Sequence, residues 1–170
     1  MQLLKIAFIV FVIHVHCESF QAQTKCNEPI RKAVWQTLPG NLQSDASDCR
    51  ESLTVKPITL GRFKGNLVRG RSDFFCGVTG NCSTWIVSKA GKRSKIILNA
   101  GSAMDWIEKI PRGHQQYPDL VMRWRMGAAD RYRGVFRFSG SVYRLRTCDY
   151  ESNERDGKVY LQTANKKFCE

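Results

Sequence analysis

Leu120, Met122, Trp124 and Met126 alternate with Val121, Arg123 and Arg125, a period of two that a half-buried β-strand satisfies and a helix cannot. The pattern continues over 132–139, where Phe136 and Phe138 share one face and Arg133, Val135 and Arg137 the other. Ser139-Gly140-Ser141-Val142 then places glycine first in a two-residue turn, which suits a type II′ hairpin. That hairpin predicts Phe138 opposite Tyr143, Phe136 opposite Leu145, Arg137 opposite Arg144 and Val135 opposite Arg146. A five-residue loop over 127–131 predicts Met126 opposite Tyr132 and Arg125 opposite Arg133. The three strands would then present one face of Arg123, Arg125, Arg133, Arg137, Arg144 and Arg146.

Other segments are read as shorter strands. Val55 to Leu60 and Gly65 to Val68 flank Gly61, Ser83 to Ser88 is rich in β-branched and aromatic residues, and Ser94 to Asn99 returns after Ala90-Gly91. Met104 to Ile107 suggests one more strand before a loop over 111–118, and Val159 to Thr163 a closing one. One helix is expected, from Glu28 to Leu38: Asn27 is the N-cap, Pro29 lies in the first turn, and Ile30, Val34 and Leu38 recur at helical spacing. Pro39-Gly40 stops it. The fold class that follows is mainly β, a twisted antiparallel sheet with hairpins and one N-terminal helix, stabilised by disulfides.

The N-terminus reads as an export signal. Lys5 precedes an apolar run over 6–13, and the chain turns polar at His16 to Glu18. Residues 1–19 are expected to be removed, with cleavage between 17 and 23, leaving 20–170 as a single domain. No stretch is long and apolar enough for a permanent membrane anchor. Loss of Cys17 with the signal leaves Cys26, Cys49, Cys76, Cys82, Cys148 and Cys169, an even set that points to disulfides and to a secreted or periplasmic location. Pairing nearest neighbours would join Cys26 to Cys49, Cys76 to Cys82 and Cys148 to Cys169. Spacing supports the middle pair best, because Gly77 and Gly80 permit a tight reversal between its cysteines.

No metal site is expected, since the exported chain keeps only His114 and has no Cys-x-x-Cys pair, and no cofactor motif appears. Charge is the stronger functional signal. Lys+Arg 27 against Asp+Glu 15 gives a formal +12, gathered into 56–95, with Asp73 the only acid, and 119–146, with seven arginines. Such a field attracts an anionic partner, an envelope polymer or an acidic protein. Like charges opposite one another across strands are destabilising unless neutralised. The arginine face is therefore the candidate binding site, unless water or the acids Asp149, Glu151, Glu154 and Asp156 folding back over it supply the neutralisation. Nucleic acid is disfavoured, because the aromatic residues alternate onto the opposite face and leave no stacking platform. The reading leans away from an enzyme. The alternative is a small secreted hydrolase, of nuclease or glycosidase type, with Glu108, Arg112 and His114 as its catalytic group. A third is an inhibitor of a secreted enzyme acting through an exposed loop. Asn81-Cys82-Ser83 fits an N-glycosylation sequon but lies inside the expected disulfide loop, so it is expected to be unused.

The Cys-x5-Cys loop at 76–82 followed by a Trp-containing strand, Asp119-Leu120-Val121, and Phe-Ser-Gly-x-x-Tyr at 138–143 resemble uncharacterised exported bacterial proteins over about half the chain. The resemblance implies a periplasmic or extracellular setting and transfers no catalytic residues.

Overall fold

A computed structural model describes residues 26–39, 52–90, 93–103, 107–111, 116–127, 130–153 and 159–169. Helix α1 (Glu28–Trp35) begins where Asn27 caps it: the side-chain oxygen of Asn27 accepts from the Ile30 N–H at 3.2 Å. Its buried face is Ile30, Ala33, Val34 and Trp35. The helix ends at Trp35, before the expected Leu38. Thr37 N–H donates to the Val34 carbonyl and Leu38 N–H to that of Trp35, three residues back rather than four, so the chain tightens as Pro39 biases its predecessor away from the helical region.

Two antiparallel sheets follow, both simple meanders. The first has the order β1 (Leu53–Leu60), β2 (Phe63–Gly70), β3 (Cys82–Ala90), β4 (Arg93–Ala103). The second has the order β5 (Glu108–Ile110), β6 (Asp119–Arg125), β7 (Arg131–Ser139), β8 (Val142–Asn153), β9 (Val159–Thr163). The expected strand at Met104 to Ile107 is not found at Ile107, which precedes β5, and 104–106 lie outside the described residues. Gly61 (φ 62°) and Gly140 (φ 67°) turn the β1–β2 and β7–β8 hairpins, in which Leu60 pairs with Phe63 and Ser139 with Val142. Gly61 is fixed twice over, because a Cβ there would sit 1.9 Å from the Gln116 carbonyl oxygen.

The first sheet is buried on both faces. Val55, Val68, Trp85 and Val87 pack with α1, while Leu60, Ile86 and Leu98 meet Leu120, Met122, Trp124, Phe136 and Tyr143 of the second sheet. The molecule is thus three layers, helix on sheet on sheet, and the second sheet turns its other face outward. Between the sheets, Gly134 makes room for the Trp124 ring, which would lie 2.8 Å from a Cβ at that position. Met126, expected in the core, falls beyond β6 and is 54% exposed.

Disulfides join Cys76 to Cys82 and Cys148 to Cys169. Cys26 is also disulfide-bonded; Cys49, its expected partner, lies outside the described residues. Such bonds fit an oxidising compartment. Among the described residues no helix is long and apolar enough to cross a membrane.

Candidate functional site

The outer face of the second sheet carries the arginines, and the strand registers decide what each one meets. β6 and β7 pair Arg123 with Arg133 and Arg125 with Arg131, two residues away from the expected register. A shift by two preserves the face, so the arginines of both strands still point outward. The β7–β8 hairpin follows the expected register through Phe138–Tyr143, Arg137–Arg144 and Phe136–Leu145. It then breaks: Val135 pairs with Thr147 instead of Arg146, because β8 carries a bulge there and sets two residues, Arg146 and Thr147, against one.

That extra residue changes the electrostatics of the face. Beyond the bulge, Arg133 pairs with Asp149 and Arg131 with Glu151, which puts both acids on the arginine side. Without the bulge, the same register would turn them to the core side. Arg133 Nη1 lies 3.5 Å from Asp149 Oδ2. Arg123 Nε donates to both oxygens of Glu151 at 3.1 and 3.2 Å, and Arg131 Nε donates to the same carboxylate. Arg123 also reaches Glu108 Oε2 at 3.1 Å through Nη1, and Arg137 Nη2 reaches Asp119 Oδ2 at 3.1 Å. The centre of the face is closed to water, with the Glu151 side chain 3% exposed and that of Arg123 12%.

The six expected arginines therefore divide. Arg123, Arg133 and Arg137 are neutralised by acids built into the same sheet. Arg125, Arg144 and Arg146 are exposed and form no ion pair among the described residues. Arg125 stands at one end of the sheet, while Arg144 and Arg146 stand at the other, beside the Arg137–Asp119 pair. The acids act from within the strands rather than by folding back from the tail; of that expected group, Glu154 and Asp156 lie outside the described residues.

Sequence reasoning overlooked Arg131 and the pairing of Glu108 and Asp119 with arginines of the face. A signal for the bulge was present, since core-facing Leu145 is followed by disulfide-bonded Cys148 at a spacing of three, which breaks a period of two.

No family model, curated protein or solved structure matches this chain.

For catalysis the face offers little. Of the expected group, Arg112 and His114 lie outside the described residues, and Glu108 is bound to Arg123. Glu108 and Glu151 share the Arg123 guanidinium, which bridges them where a glycosidase needs an open cleft between its two carboxyl groups. Among the described residues no group of three or more His, Cys, Asp or Glu side chains is placed to hold a metal ion.

Proposed function

We propose that this is a secreted or periplasmic, non-enzymatic binding protein whose anionic partner, an envelope polymer or an acidic protein, docks on the outer face of the second sheet at its Arg137, Arg144 and Arg146 end. The observation that carries this reading is the direct cross-strand pairing of Arg137 with Arg144, next to Arg146: among the described residues Arg144 and Arg146 form no ion pair, whereas the cross-strand pair Arg123–Arg133 is matched by Glu108, Glu151 and Asp149. Like charges placed opposite one another destabilise a strand pair, and an anion bridging them would remove that penalty. Among the described residues, the carboxylate paired within this group is Asp119, through Arg137.

Retention of the oxidised protein on heparin, a generic polyanion, tests the reading. The double variant Arg144→Glu, Arg146→Glu is expected to elute at much lower salt than the wild type, with thermal stability unchanged or raised. Arg125→Glu, at the far end, is expected to have the smaller effect. Equal retention of all three proteins would exclude the face as the site.

A second reading, an inhibitor acting through an exposed loop, draws on one observation. Val78 is fully exposed on the loop closed by Cys76 and Cys82. Val78→Asp would abolish such inhibition and leave heparin retention intact.

A further inference from the structure

Val159, Tyr160 and Leu161 are large apolar side chains left exposed on β9, at the edge of the second sheet. All five residues of β9 are exposed, and among the described residues β9 has a neighbour, β8, on one side only. Its pairing with β8 places Val159, Leu161 and Thr163 on the outer face, with Glu151 and Asp149, and Tyr160 and Gln162 on the other with Ser152 and Tyr150. Apolar exposure thus wraps both faces of one edge. A partner lying flat on either face would cover half of it, whereas a strand added to the edge covers both halves and also takes up the free backbone groups.

The other edges are guarded. β1 carries Lys56 and Pro57, β4 opens with Arg93 and Lys95, and β5 is three residues long. β9, with the sequence Val-Tyr-Leu-Gln-Thr, has neither a charge nor a proline. In a chain of formal charge +12, it is the edge where a second copy can approach without setting cation against cation.

We propose that β9 is a self-association edge, at which two copies pair β9 with β9 antiparallel about a two-fold axis through Leu161. Full overlap sets Val159 against the partner's Thr163, Tyr160 against the partner's Gln162 and Leu161 against the partner's Leu161. Each match joins residues of the same face, so the strand is complementary to itself as an isologous contact requires. The two second sheets become one continuous sheet, and both arginine faces look the same way. Because the copies carry like net charge, added salt screens their repulsion and strengthens the pairing. Binding of a polyanion to the arginine face would weaken with salt, so the two interactions are separable.

Sedimentation equilibrium of the oxidised protein over a wide concentration range, at low and high salt, tests this. The wild type is expected to approach twice the monomer mass, at lower concentration when salt is high. Leu161→Lys sets two lysines opposite each other at the axis and is expected to raise the dissociation constant about tenfold or more, with unchanged thermal unfolding of the monomer. Val159→Lys, at the end of the strand, provides a second variant and should weaken association less. A wild type monomeric under every condition overturns the proposal. So does a dimer that weakens with salt, or one that both variants leave undiminished.

Discussion

Asn81 is 8% exposed and its side chain imitates a strand: its Oδ1 accepts from Arg125 N–H at 2.9 Å and its Nδ2 donates to the Arg125 carbonyl at 2.8 Å. This ties the Cys76–Cys82 loop of the first sheet to the end of β6 in the second. The sequon nitrogen is thereby occupied, so the folded protein produced in a eukaryotic secretory pathway should show no mass change on treatment with an N-glycosidase. Asn81→Ala leaves two backbone groups without partners and should cost about 1 to 3 kcal/mol in urea unfolding. Glu151 is comparable. Removing its carboxylate takes the acid from Arg131 and one of two acids from Arg123, which keeps Glu108, and Glu151→Ala should lower stability by about 1 to 3 kcal/mol in the same assay. Tyr143 carries a pH dependence: burial, then the Asp119 carboxylate, pushes its phenol up. A phenol that resists ionising in the folded chain contributes stability that is complete below its unfolded value of about 10 and is lost progressively as pH rises from there through its raised folded value. Tyr143→Phe should flatten that alkaline loss. At neutral pH it should cost about 1 kcal/mol for the hydrogen bond to the Pro118 carbonyl.

Among the elements, the bulge in β8 has the largest consequence, because one residue decides which way every later side chain of the strand points. Deleting Arg146 would restore a period of two through β8 and turn Cys148 outward and Asp149 and Glu151 inward. The shortened chain is expected to fail to form the Cys148–Cys169 bond, which a free-thiol assay after refolding would reveal. Strands β6, β7 and β9 were legible in the sequence because each alternates or is punctuated by turn residues, and the β7–β8 hairpin because Gly140 fixes the turn. Helix α1 was legible from Asn27 and Pro29. Its end was less so, since the last turn is settled by three-residue backbone bonds that no side chain announces. β5 was misplaced for a related reason: three residues carry no period, and Glu108–Ile110 becomes a strand by pairing with Asp119–Val121.

At the scale of the molecule, the ends are held by disulfides and the middle by two cores. Cys148–Cys169 spans 21 residues and keeps β9 and the C-terminal 3-10 helix (Lys166–Cys169) against β8. Replacing both cysteines by alanine should lower stability by about 3 kcal/mol, measured by denaturant titration. The sequence by itself determined the predominance of antiparallel strands, the capped helix, the Cys76–Cys82 loop and the outward direction of the arginines on β6 and β7, because capping, turn chemistry and side-chain alternation act within a few residues of one another. Only the tertiary structure decided that the strands divide into two stacked sheets, and that Asp149, Glu151 and Glu108 neutralise the centre of the arginine face and Asp119 holds Arg137, while Arg125, Arg144 and Arg146 stay exposed at its ends. Those outcomes depend on register between strands and on packing between layers, where one added residue or one shared carboxylate acts across a distance that local pattern does not span.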